Sequence, residues 1–326
     1  YYGLYLLDQN NLTQENISLL KELKNNNISL NESYLVEYLL SKVEKKNIQF
    51  EKELDHLNNF HNKCFKSRSD FNLQGLFYYN KIISRYYNKI NFKNYKTKDN
   101  YLNEIRPIFI IGLPRSGSTL IESFLSNSSK KIVSLGETSI INVAILDQLK
   151  NFVFEKNLEI ENFNVELNVE QLRNNVLNVY KNYFAINSKN LCFTDKSLEN
   201  FFNIEVILKI FPRAKFIHSK RNYKDAAIAI YQSMLPELPW THSISNILAY
   251  IDNYIEITNF FKKKYSDRIL TIDLENLTEN KEECTKKIFS FCDLKWSPEV
   301  INFNEKKNLL IKTLSGTQLR KKIFKY

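Results

Sequence analysis

Residues 107–120 read PIFIIGLPRSGSTL, with an apolar run after Pro107, glycines at Gly112 and Gly117, and a helical pattern from about Ser118. This order predicts a buried strand, a tight loop and a helix. In such an arrangement the backbone N–H groups of the loop and the N-terminus of the helix direct positive partial charge at one spot. The stretch therefore predicts a cradle for a phosphate or sulfate group.

The cation inside this loop is an arginine rather than a lysine. The spacing of Gly112, Gly117 and Thr119 matches a Walker A loop, but Ser118 stands where the lysine that bridges the outer phosphates belongs. Arg115 offers instead a planar, bidentate cation suited to phosphate or sulfate oxygens. A nucleotide triphosphatase is thus disfavoured, and an ordinary strand-to-helix turn is the structural alternative.

The strand-then-helix pattern repeats after this loop. Such alternation predicts an α/β fold with a P-loop-like parallel sheet flanked by helices. Ligands bind such sheets beyond the carboxyl ends of the strands, where Gly112, Glu137, Lys196 and Arg221 fall. The further predicted strands are 131–134, 191–194, 215–219 and 269–272, with helices over 168–186, 200–211, 222–234 and 245–265.

The N-terminal part of the chain follows a different pattern. From Asn11 to about Ile90 apolar residues recur at spacings of three and four, as in amphipathic helices. Residues 91–103 are polar and typical of a linker. We therefore predict an all-helical region over residues 1–103 and an α/β domain over residues 104–326.

Composition limits the partners without naming one. The chain has 46 Lys and Arg against 36 Asp and Glu, a net charge of +10 that favours anionic ligands. The aromatic residues follow helical spacing, which indicates core packing and no nucleic-acid partner. No run reaches the roughly 18 apolar residues of a membrane span and no signal-peptide pattern opens the chain. We expect a soluble, cytoplasmic protein; because the chain begins at Tyr1, an upstream targeting segment stays open.

The cysteines indicate neither a disulfide scaffold nor a metal site. The chain has four cysteines and no CxxC pair, so free thiols are expected and no metal-ligand set is predicted.

Two motifs resemble those of a known family. Pro107 to Leu120 closely resembles the 5′-phosphosulfate loop of sulfotransferases that use 3′-phosphoadenosine 5′-phosphosulfate (PAPS), above all the tyrosylprotein sulfotransferases and the microbial sulfotransferases with tetratricopeptide repeats. Lys215 to Asp225, KFIHSKRNYKD, resembles the family segment that binds the 3′-phosphate, with Arg221 at the position of its key arginine. The C-terminal runs Phe291 to Pro298 and Lys312 to Arg320 also resemble the microbial members.

The helical N-terminal part is often built of tetratricopeptide repeats in that family. Residues 34–63 fit one such helix pair, but no period of about 34 residues runs through the region. A degenerate repeat or a helical cap is what the sequence predicts.

The resemblance implies a donor and its site residues. The donor is PAPS, the product is 3′-phosphoadenosine 5′-phosphate (PAP), and no metal takes part. Glu137 matches the general base, Lys196 matches the lysine that contacts the bridging oxygen of the leaving group, and Arg115 would stabilise the sulfuryl oxygens. By the same resemblance Ser116, Gly117, Ser118 and Thr119, together with Arg115, hold the 5′-phosphate, and Arg221 and Ser315 hold the 3′-phosphate.

The resemblance leaves the acceptor open. An acceptor hydroxyl on a tyrosine flanked by acidic residues follows from the tyrosylprotein branch and fits the basic composition. Microbial members act on carbohydrates, lipids or small molecules, and the sequence does not choose. The oligomeric state is open as well, a homodimer included.

Several of these residues also have purely structural interpretations. Glu137 could be a carboxylate of a first helical turn, and Lys196 could form a salt bridge with Asp195 beside it. His218, in a predicted strand, reads as a packed histidine. His242, in a loop, ranks behind Glu137 as a candidate base.

The chain departs from the family pattern in three places. Ala229 stands where a second 3′-phosphate serine is usual, Leu274 replaces a tyrosine, and Asn222-Tyr223 replaces the commoner Asp-Pro. These departures keep two alternatives open: a sulfotransferase-like binding protein without turnover, and a phosphoryl-transfer enzyme with an aberrant loop.

Overall fold

Helices alone form the N-terminal part of the described chain, and helices alternate with short strands after it. The structure is a computed structural model that describes residues 2–7, 12–26, 28–93, 104–128, 132–154, 165–184 and 192–301. Its α-helices are α1 (Tyr2–Leu7), α2 (Gln14–Asn25), α3 (Leu30–Lys46), α4 (Phe50–Ser67), α5 (Ser69–Phe77), α6 (Ser84–Tyr86), α7 (Ser118–Ser128), α8 (Ile140–Phe154), α9 (Val169–Phe184), α10 (Ile204–Ile210), α11 (Tyr223–Tyr231), α12 (Ile244–Lys264), α13 (Leu274–Glu279) and α14 (Lys281–Phe291). Its strands are β1 (Ile90–Phe92), β2 (Arg106–Gly112), β3 (Ile132–Ser134), β4 (Val165–Leu167), β5 (Cys192–Asp195), β6 (Lys215–Lys220) and β7 (Ile269–Asp273).

Five of the strands form one parallel sheet in the order β3-β5-β2-β6-β7. The strand with the phosphate-cradle motif, β2, is central, and all of its residues after Arg106 are buried. A near-continuous apolar run is what a central strand covered on both faces requires. The predicted α/β fold with a parallel sheet flanked by helices is confirmed.

The two faces of this sheet are covered by different helices. Ile108 and Ile110 of β2 pack in one cluster with Phe124 of α7 and Ile288 of α14. Phe109, which points to the opposite face because side chains alternate along a strand, stacks on Phe216 with ring centroids 5.6 Å apart. Aromatic side chains from α9 and from the residue after α10 complete this second layer, with contacts among Phe109, Phe193, Phe211 and Tyr180.

One part of the expected linker is a strand. Ile90–Phe92 pairs in parallel with Val165–Leu167, in a separate two-stranded sheet. The prediction of a linker from residue 91 was therefore wrong for residues 91 and 92. A strand of three residues is too short to show an alternating pattern, and its partner lies far away in sequence.

The chain divides into two compact units that do not follow chain order. One consists of residues 1–80 with 227–250, and the other of residues 81–226 with 251–326. The predicted division into domains 1–103 and 104–326 stays a prediction.

In the first unit, helices α2 and α3 pack through a buried apolar cluster. Its members are Leu20 of α2 and Val36, Leu39 and Leu40 of α3. Helix α3 begins with a capping box, in which the Ser29 hydroxyl accepts from the Glu32 N–H and the Glu32 carboxylate accepts from the Ser29 N–H. This reciprocal pair satisfies two backbone donors that a helix start would otherwise leave open.

The longest described helix, α12, has 21 residues and carries three lysines in its last turn. Cations are favourable there because the C-terminus of a helix is partly negative. Within the described ranges, none of the helices combines the length and the apolar character that crossing a membrane demands.

Candidate active site

The phosphate loop, residues 112–119, joins β2 to α7 through a backbone that few side chains tolerate. Gly112, Arg115 and Gly117 have φ values of 151°, 66° and 91°. A Cβ on Gly112 would lie 2.4 Å from the Ser219 carbonyl oxygen, and a Cβ on Gly117 would lie 2.5 Å from Leu274 Cδ1. Both positions therefore require glycine. Arg115 is a non-glycine residue in the left-handed region, a conformation that costs free energy and that recurs at active sites and ligand clamps.

Hydrogen bonds fix this loop against the neighbouring strand β6. Ser219 Oγ donates to the Ser116 carbonyl oxygen at 2.6 Å, and Arg221 Nη1 donates to the Arg115 carbonyl oxygen at 3.2 Å. Within the loop, Ser116 Oγ donates to the Leu113 carbonyl oxygen at 2.6 Å. These bonds shape the loop in advance of any ligand, which lowers the entropic cost of binding.

Glu137 and Lys196 meet beyond the carboxyl ends of β3 and β5. Backbone pairing continues past the strands, because the Leu135 N–H donates to the Thr194 oxygen at 3.0 Å and the Lys196 N–H donates to the Gly136 oxygen at 2.8 Å. The Lys196 ammonium donates to Glu137 Oε1. The Lys196 side chain is 0% exposed and that of Glu137 is 56% exposed, so the pair reaches from the interior to solvent.

Asp195 is not the partner of Lys196. Its Oδ2 accepts from Thr138 Oγ1 and from the Tyr180 hydroxyl, each at 2.7 Å, and its Oδ1 accepts from the Ser197 N–H at 2.9 Å. The structural alternative of an Asp195–Lys196 salt bridge is therefore wrong. Asp195 instead links β5 and α9 to the segment that carries Glu137. The pKa of Tyr180 is raised, first by the burial of Tyr180 and second by the negative charge of Asp195.

Sequence reasoning missed a buried carboxylate in α7. Glu122 Oε1 accepts from Ser134 Oγ at 2.8 Å, from the Gly136 N–H at 3.2 Å and from Thr194 Oγ1 at 3.3 Å. The signal in the sequence is an acidic residue among the apolar residues of a helix that is otherwise core. Glu122 links the helix of the phosphate loop to the strand ends that position Glu137 and Lys196.

The segment after β6 explains one of the departures from the family pattern. The Asn222 side chain accepts from the Lys224 N–H at 3.0 Å and from the Asp225 N–H at 3.4 Å, so Asn222 caps helix α11. Asparagine and aspartate serve equally well at this position. The Asn222 N–H in turn donates to Glu275 Oε1 at 3.0 Å, which holds Arg221 next to the start of α13.

The two histidines singled out in the sequence are both buried. His218 contacts the Tyr254 hydroxyl and lies 3.2 Å from Thr271 Oγ1, and burial lowers the pKa of His218 to about 3. In the other unit, His242 Nδ1 lies 3.1 Å from His61 Nδ1, and burial lowers the pKa of His242 to about 4. Both side chains are uncharged near neutral pH and occupied by protein partners.

Two further positions complete the inventory. Leu274 packs against Gly117, so the residue that replaces the family's tyrosine contacts the phosphate loop directly. Ser315 and the run 312–320 lie outside the described residues. Over the ranges that the structure describes, the four cysteines are free thiols and no group of three or more His, Cys, Asp or Glu residues is arranged to hold a metal ion.

The comparison with solved structures finds matches of low identity and low TM-score to bacterial sulfotransferases. Sulfotransferase STF9 from Mycobacterium avium is 14% identical, with 61% of this chain and 66% of that chain covered and a TM-score of 0.38. Sulfotransferase STF1 from Mycobacterium tuberculosis H37Rv is 11% identical, with 91% and 93% covered and a TM-score of 0.40. The sulfotransferase domain of the Synechococcus PCC 7002 olefin synthase is 16% identical, with 64% and 81% covered and a TM-score of 0.39.

Sequence comparison gives the assignment. An uncharacterized protein of Aquifex aeolicus (strain VF5) is 30% identical over 227 residues, which are 68% of this chain and 29% of that protein's length. This chain thus spans less than a third of that relative. The sequence model of the Sulfotransferase family matches residues 107–298, more than half of the chain, from the phosphate loop through the Glu137–Lys196 pair and Arg221. The chain belongs to the sulfotransferase family.

Proposed function

We propose that this chain transfers a sulfuryl group from PAPS to an acceptor hydroxyl. The observation that carries the proposal is the ion pair between Glu137 and Lys196, which joins a half-exposed carboxylate to a fully buried ammonium. Glu122 connects this pair to α7, the helix that begins at the phosphate loop. A base and a cation beside an anion cradle are what sulfuryl transfer requires.

The phosphate loop fits the donor's 5′-phosphate. Ser116, Gly117, Ser118 and Thr119 bring their N–H groups to the start of α7, where the helix dipole favours an anion. The absence of a Cβ at Gly117 leaves the loop in close contact with Leu274. Arg221, with Ser315, would hold the 3′-phosphate, and Arg115 would contact the sulfuryl oxygens.

The proposed mechanism divides the work between the two ends of the ion pair. When PAPS is bound, the bond between its sulfur and the bridging phosphate oxygen would break as the bond between sulfur and the acceptor oxygen forms. The electron pair of the broken bond would stay on the oxygen of the leaving PAP. Glu137 accepts the proton of the acceptor hydroxyl from the solvent side. Lys196 stabilises the charge on the leaving oxygen from the interior.

In the described structure Glu137 and Lys196 neutralise each other. While Glu137 Oε1 accepts from the Lys196 ammonium, that oxygen is not available to the acceptor hydroxyl. Glu137 must therefore turn from Lys196 to the acceptor before it takes a proton. Its exposed side chain permits that movement, whereas burial fixes Lys196 in place.

We further propose a tyrosine flanked by acidic residues as acceptor. The net charge of +10 favours association with an acidic segment. Carbohydrates, lipids and small phenols also offer a hydroxyl but lack the flanking acidic residues, so they are the comparison acceptors.

The test is PAPS-dependent transfer by the whole chain. PAP release and acceptor mass would be measured with a tyrosine peptide flanked by aspartates, the same peptide flanked by lysines, and a small phenol. We expect transfer fastest to the acidic peptide. A Glu137→Gln variant should lower kcat by roughly 10²- to 10⁴-fold, because the general base is lost.

The matched control is Glu282→Gln, which removes another exposed glutamate that is paired with a lysine, Lys286 at 2.6 Å. It should leave kcat unchanged. Transfer to none of the acceptors together with intact PAP binding would favour the binding protein without turnover, and unchanged kcat in Glu137→Gln would exclude Glu137 as base.

A further inference from the structure

Two consecutive carbonyls of the phosphate loop are held by side chains from the end of β6. The Ser219 hydroxyl donates to the Ser116 carbonyl oxygen at 2.6 Å, and Arg221, which follows β6, donates from Nη1 to the Arg115 carbonyl oxygen at 3.2 Å. Ser116 and Ser219 are each 1% exposed, so the bond between them is shielded from water. Both side chains therefore act on the backbone of the loop.

Gly112 allows β6 to approach the loop closely enough for these bonds. It pairs with Ser219 across β2 and β6, and a Cβ on Gly112 would lie 2.4 Å from the Ser219 carbonyl oxygen. A side chain at this position would push the end of β6 away from β2. The contact of Ser219 with the loop thus depends on a residue without a Cβ.

The bonds to the two carbonyls also set the direction of two N–H groups. A trans peptide unit is planar, so its C=O and its N–H point in opposite directions. The Arg115 carbonyl shares its peptide unit with the Ser116 N–H, and the Ser116 carbonyl shares its unit with the Gly117 N–H. Because both carbonyls face their donors at the end of β6, both N–H groups are directed away from those donors.

The backbone around these N–H groups has the form of an anion site. Arg115 and Gly117 both have positive φ values, 66° and 91°, and they flank Ser116. Successive N–H groups in a turn with left-handed residues make a concavity that binds anions. Such a conformation costs free energy in the absence of a ligand, so contacts that hold it in place favour binding.

We propose that Ser219 is a positioning residue for the donor's 5′-phosphate, and that Arg221 has a second role of the same kind beside its contact with the 3′-phosphate. We call the two bonds, from Ser219 to Ser116 and from Arg221 to Arg115, the β6 clamp. The clamp directs the Ser116 and Gly117 N–H groups toward the anion before it binds. The inference rests on the proposed function for the identity of the anion, whereas the clamp belongs to the chain itself.

Titration with three nucleotides separates the two ends of the donor site. PAP carries both phosphates, adenosine 5′-monophosphate only the 5′-phosphate, and adenosine 3′-monophosphate only the 3′-phosphate; the weaker ligands would be measured by displacement of PAP. We expect Ser219→Ala to weaken PAP and adenosine 5′-monophosphate about fivefold or more, because a loop carbonyl loses its donor. Its affinity for adenosine 3′-monophosphate should stay close to that of wild type.

Arg221→Ala tests the second role of that arginine. A residue that contacts only the 3′-phosphate would leave the binding of adenosine 5′-monophosphate unchanged. The clamp predicts that Arg221→Ala weakens this nucleotide about fivefold as well. Lys220→Ala is the control for the loss of charge, because Lys220 is the preceding residue and pairs with Asp273 at 3.4 Å. It should weaken adenosine 5′-monophosphate much less than Arg221→Ala does.

Ser41→Ala is the control for the loss of a buried hydroxyl. Ser41 Oγ donates to the Tyr38 carbonyl oxygen within α3, also at 2.6 Å, and its loss should leave all three affinities unchanged. If Ser219→Ala or Arg221→Ala binds adenosine 5′-monophosphate as well as its control does, the clamp is overturned. Circular dichroism would verify the fold. Ser219→Cys, which keeps the size with a weaker donor, serves if Ser219→Ala does not fold.

Hydrogen exchange of the ligand-free chain measures the clamp without any nucleotide. The Leu120 and Ile121 N–H groups donate to the Gly117 oxygen at 3.0 and 3.2 Å, so their exchange reports on the order of the loop. We expect peptides that span residues 113–125 to exchange faster in Ser219→Ala and Arg221→Ala than in wild type, with no change in Ser41→Ala. Wild-type exchange in both clamp variants would contradict the proposal.

Steady-state kinetics distinguishes positioning from a general loss of stability. In transfer from PAPS, Ser219→Ala should raise the KM for PAPS about fivefold or more and leave the KM for the acceptor unchanged. A merely structural role of Ser219 would lower the melting temperature and leave both KM values at wild type. That result would overturn the proposal.

The measurements separate this inference from the function on which it rests. If loop exchange rises as expected but the wild-type chain binds none of the three nucleotides, the proposed PAPS function fails and the clamp stands. If the wild-type chain transfers from PAPS but neither loop exchange nor nucleotide affinity responds to Ser219→Ala, the clamp fails and the proposed function stands.

Discussion

Two glycines of the phosphate loop exclude a side chain for different physical reasons. At Gly112 the obstacle is the backbone carbonyl of Ser219, 2.4 Å from a built Cβ, and at Gly117 it is the tip of the Leu274 side chain at 2.5 Å. A backbone atom in a paired strand cannot move without disturbing the sheet, whereas a side chain can be shortened. The two positions should therefore respond differently to a second substitution.

A double-mutant cycle on the free energy of unfolding tests this difference. We expect Gly117→Ala to be destabilising because of its positive φ and the contact with Leu274. Combined with Leu274→Ala, it should show a favourable coupling of about 1 kcal/mol or more. Gly112→Ala combined with Leu274→Ala should show none. Additive effects for Gly117 as well would mean that Leu274 does not restrict the loop.

At the residue scale, the sequence predicted positions better than partners. Glu137 and Lys196 follow strands, so strand ends could place both at one edge of the sheet, and the structure pairs them there. The partner of Lys196 depends on the directions of the side chains, which cannot be read from spacing along the sequence. The alternative that Asp195 is this partner was wrong. Glu122 was missed because a single acidic residue in a helix usually points to solvent. Only the structure shows that this carboxylate is buried and bonded to residues at the ends of β3 and β5.

Helices α3 and α4 are joined by a buried ion cluster at Glu37. Its side chain is 1% exposed and pairs with Lys63 at 2.9 Å and His56 at 2.6 Å. Burial alone would raise the pKa of Glu37, but the hydrogen bonds from His56 and Lys63 outweigh it and lower the pKa to about 2 from an ordinary value of 4.5. Because the folded state has the lower pKa, this stabilisation is present above pH 4.5 and is lost as the pH falls through about 2.

Chemical denaturation as a function of pH measures this cluster. We expect Glu37→Gln to lower the free energy of unfolding by about 3 kcal/mol near pH 7, where a buried pair is broken on one side. The difference from wild type should shrink as the pH falls below 4.5 and vanish near 2. Glu283→Gln, which removes an exposed helix pair with Lys287, should leave the free energy of unfolding close to that of wild type at any pH. A pH-independent Glu37→Gln difference would contradict the assignment.

At the scale of elements, the long and strongly patterned segments were the predictable ones. Strand β2 is an apolar run followed by turn residues. Strands β5, β6 and β7 are more mixed in composition, but they were also predicted within one or two residues. The pairing of β1 with β4 was not, because it joins two segments of three residues across a long stretch of chain. Such pairing gains its stability from tertiary contacts, which local pattern does not contain.

At the scale of the whole molecule, each compact unit is built from two separate stretches of the chain. Residues 227–250 group with residues 1–80 rather than with the segments that flank them in sequence. A division read from composition assumes that each domain is one continuous stretch, so this grouping was out of reach. The parallel sheet could be predicted because its strands alternate with helices along the sequence.

The chain as a whole is basic, with a net charge of +10, and its proposed ligands are anions. Binding of an anionic nucleotide and of an acidic acceptor both draw on that charge. Specific binding of a bisphosphate would depend on contacts with Arg221 and the phosphate loop. Non-specific electrostatic attraction of anions to the basic chain would not depend on them. A charge-matched control is therefore essential in any binding measurement.

Isothermal titration of the whole chain with PAP, run beside ATP, tests the proposed donor site. We expect saturable binding of PAP, little response to ATP, and a loss of about 10- to 100-fold in PAP affinity in Arg221→Ala, because a charge-assisted contact is removed. Lys263→Ala, which removes the same charge from an exposed position of α12, should bind PAP like wild type. Absence of PAP binding, or a preference for ATP, would contradict the assignment of the phosphate loop and Arg221 to a PAPS site.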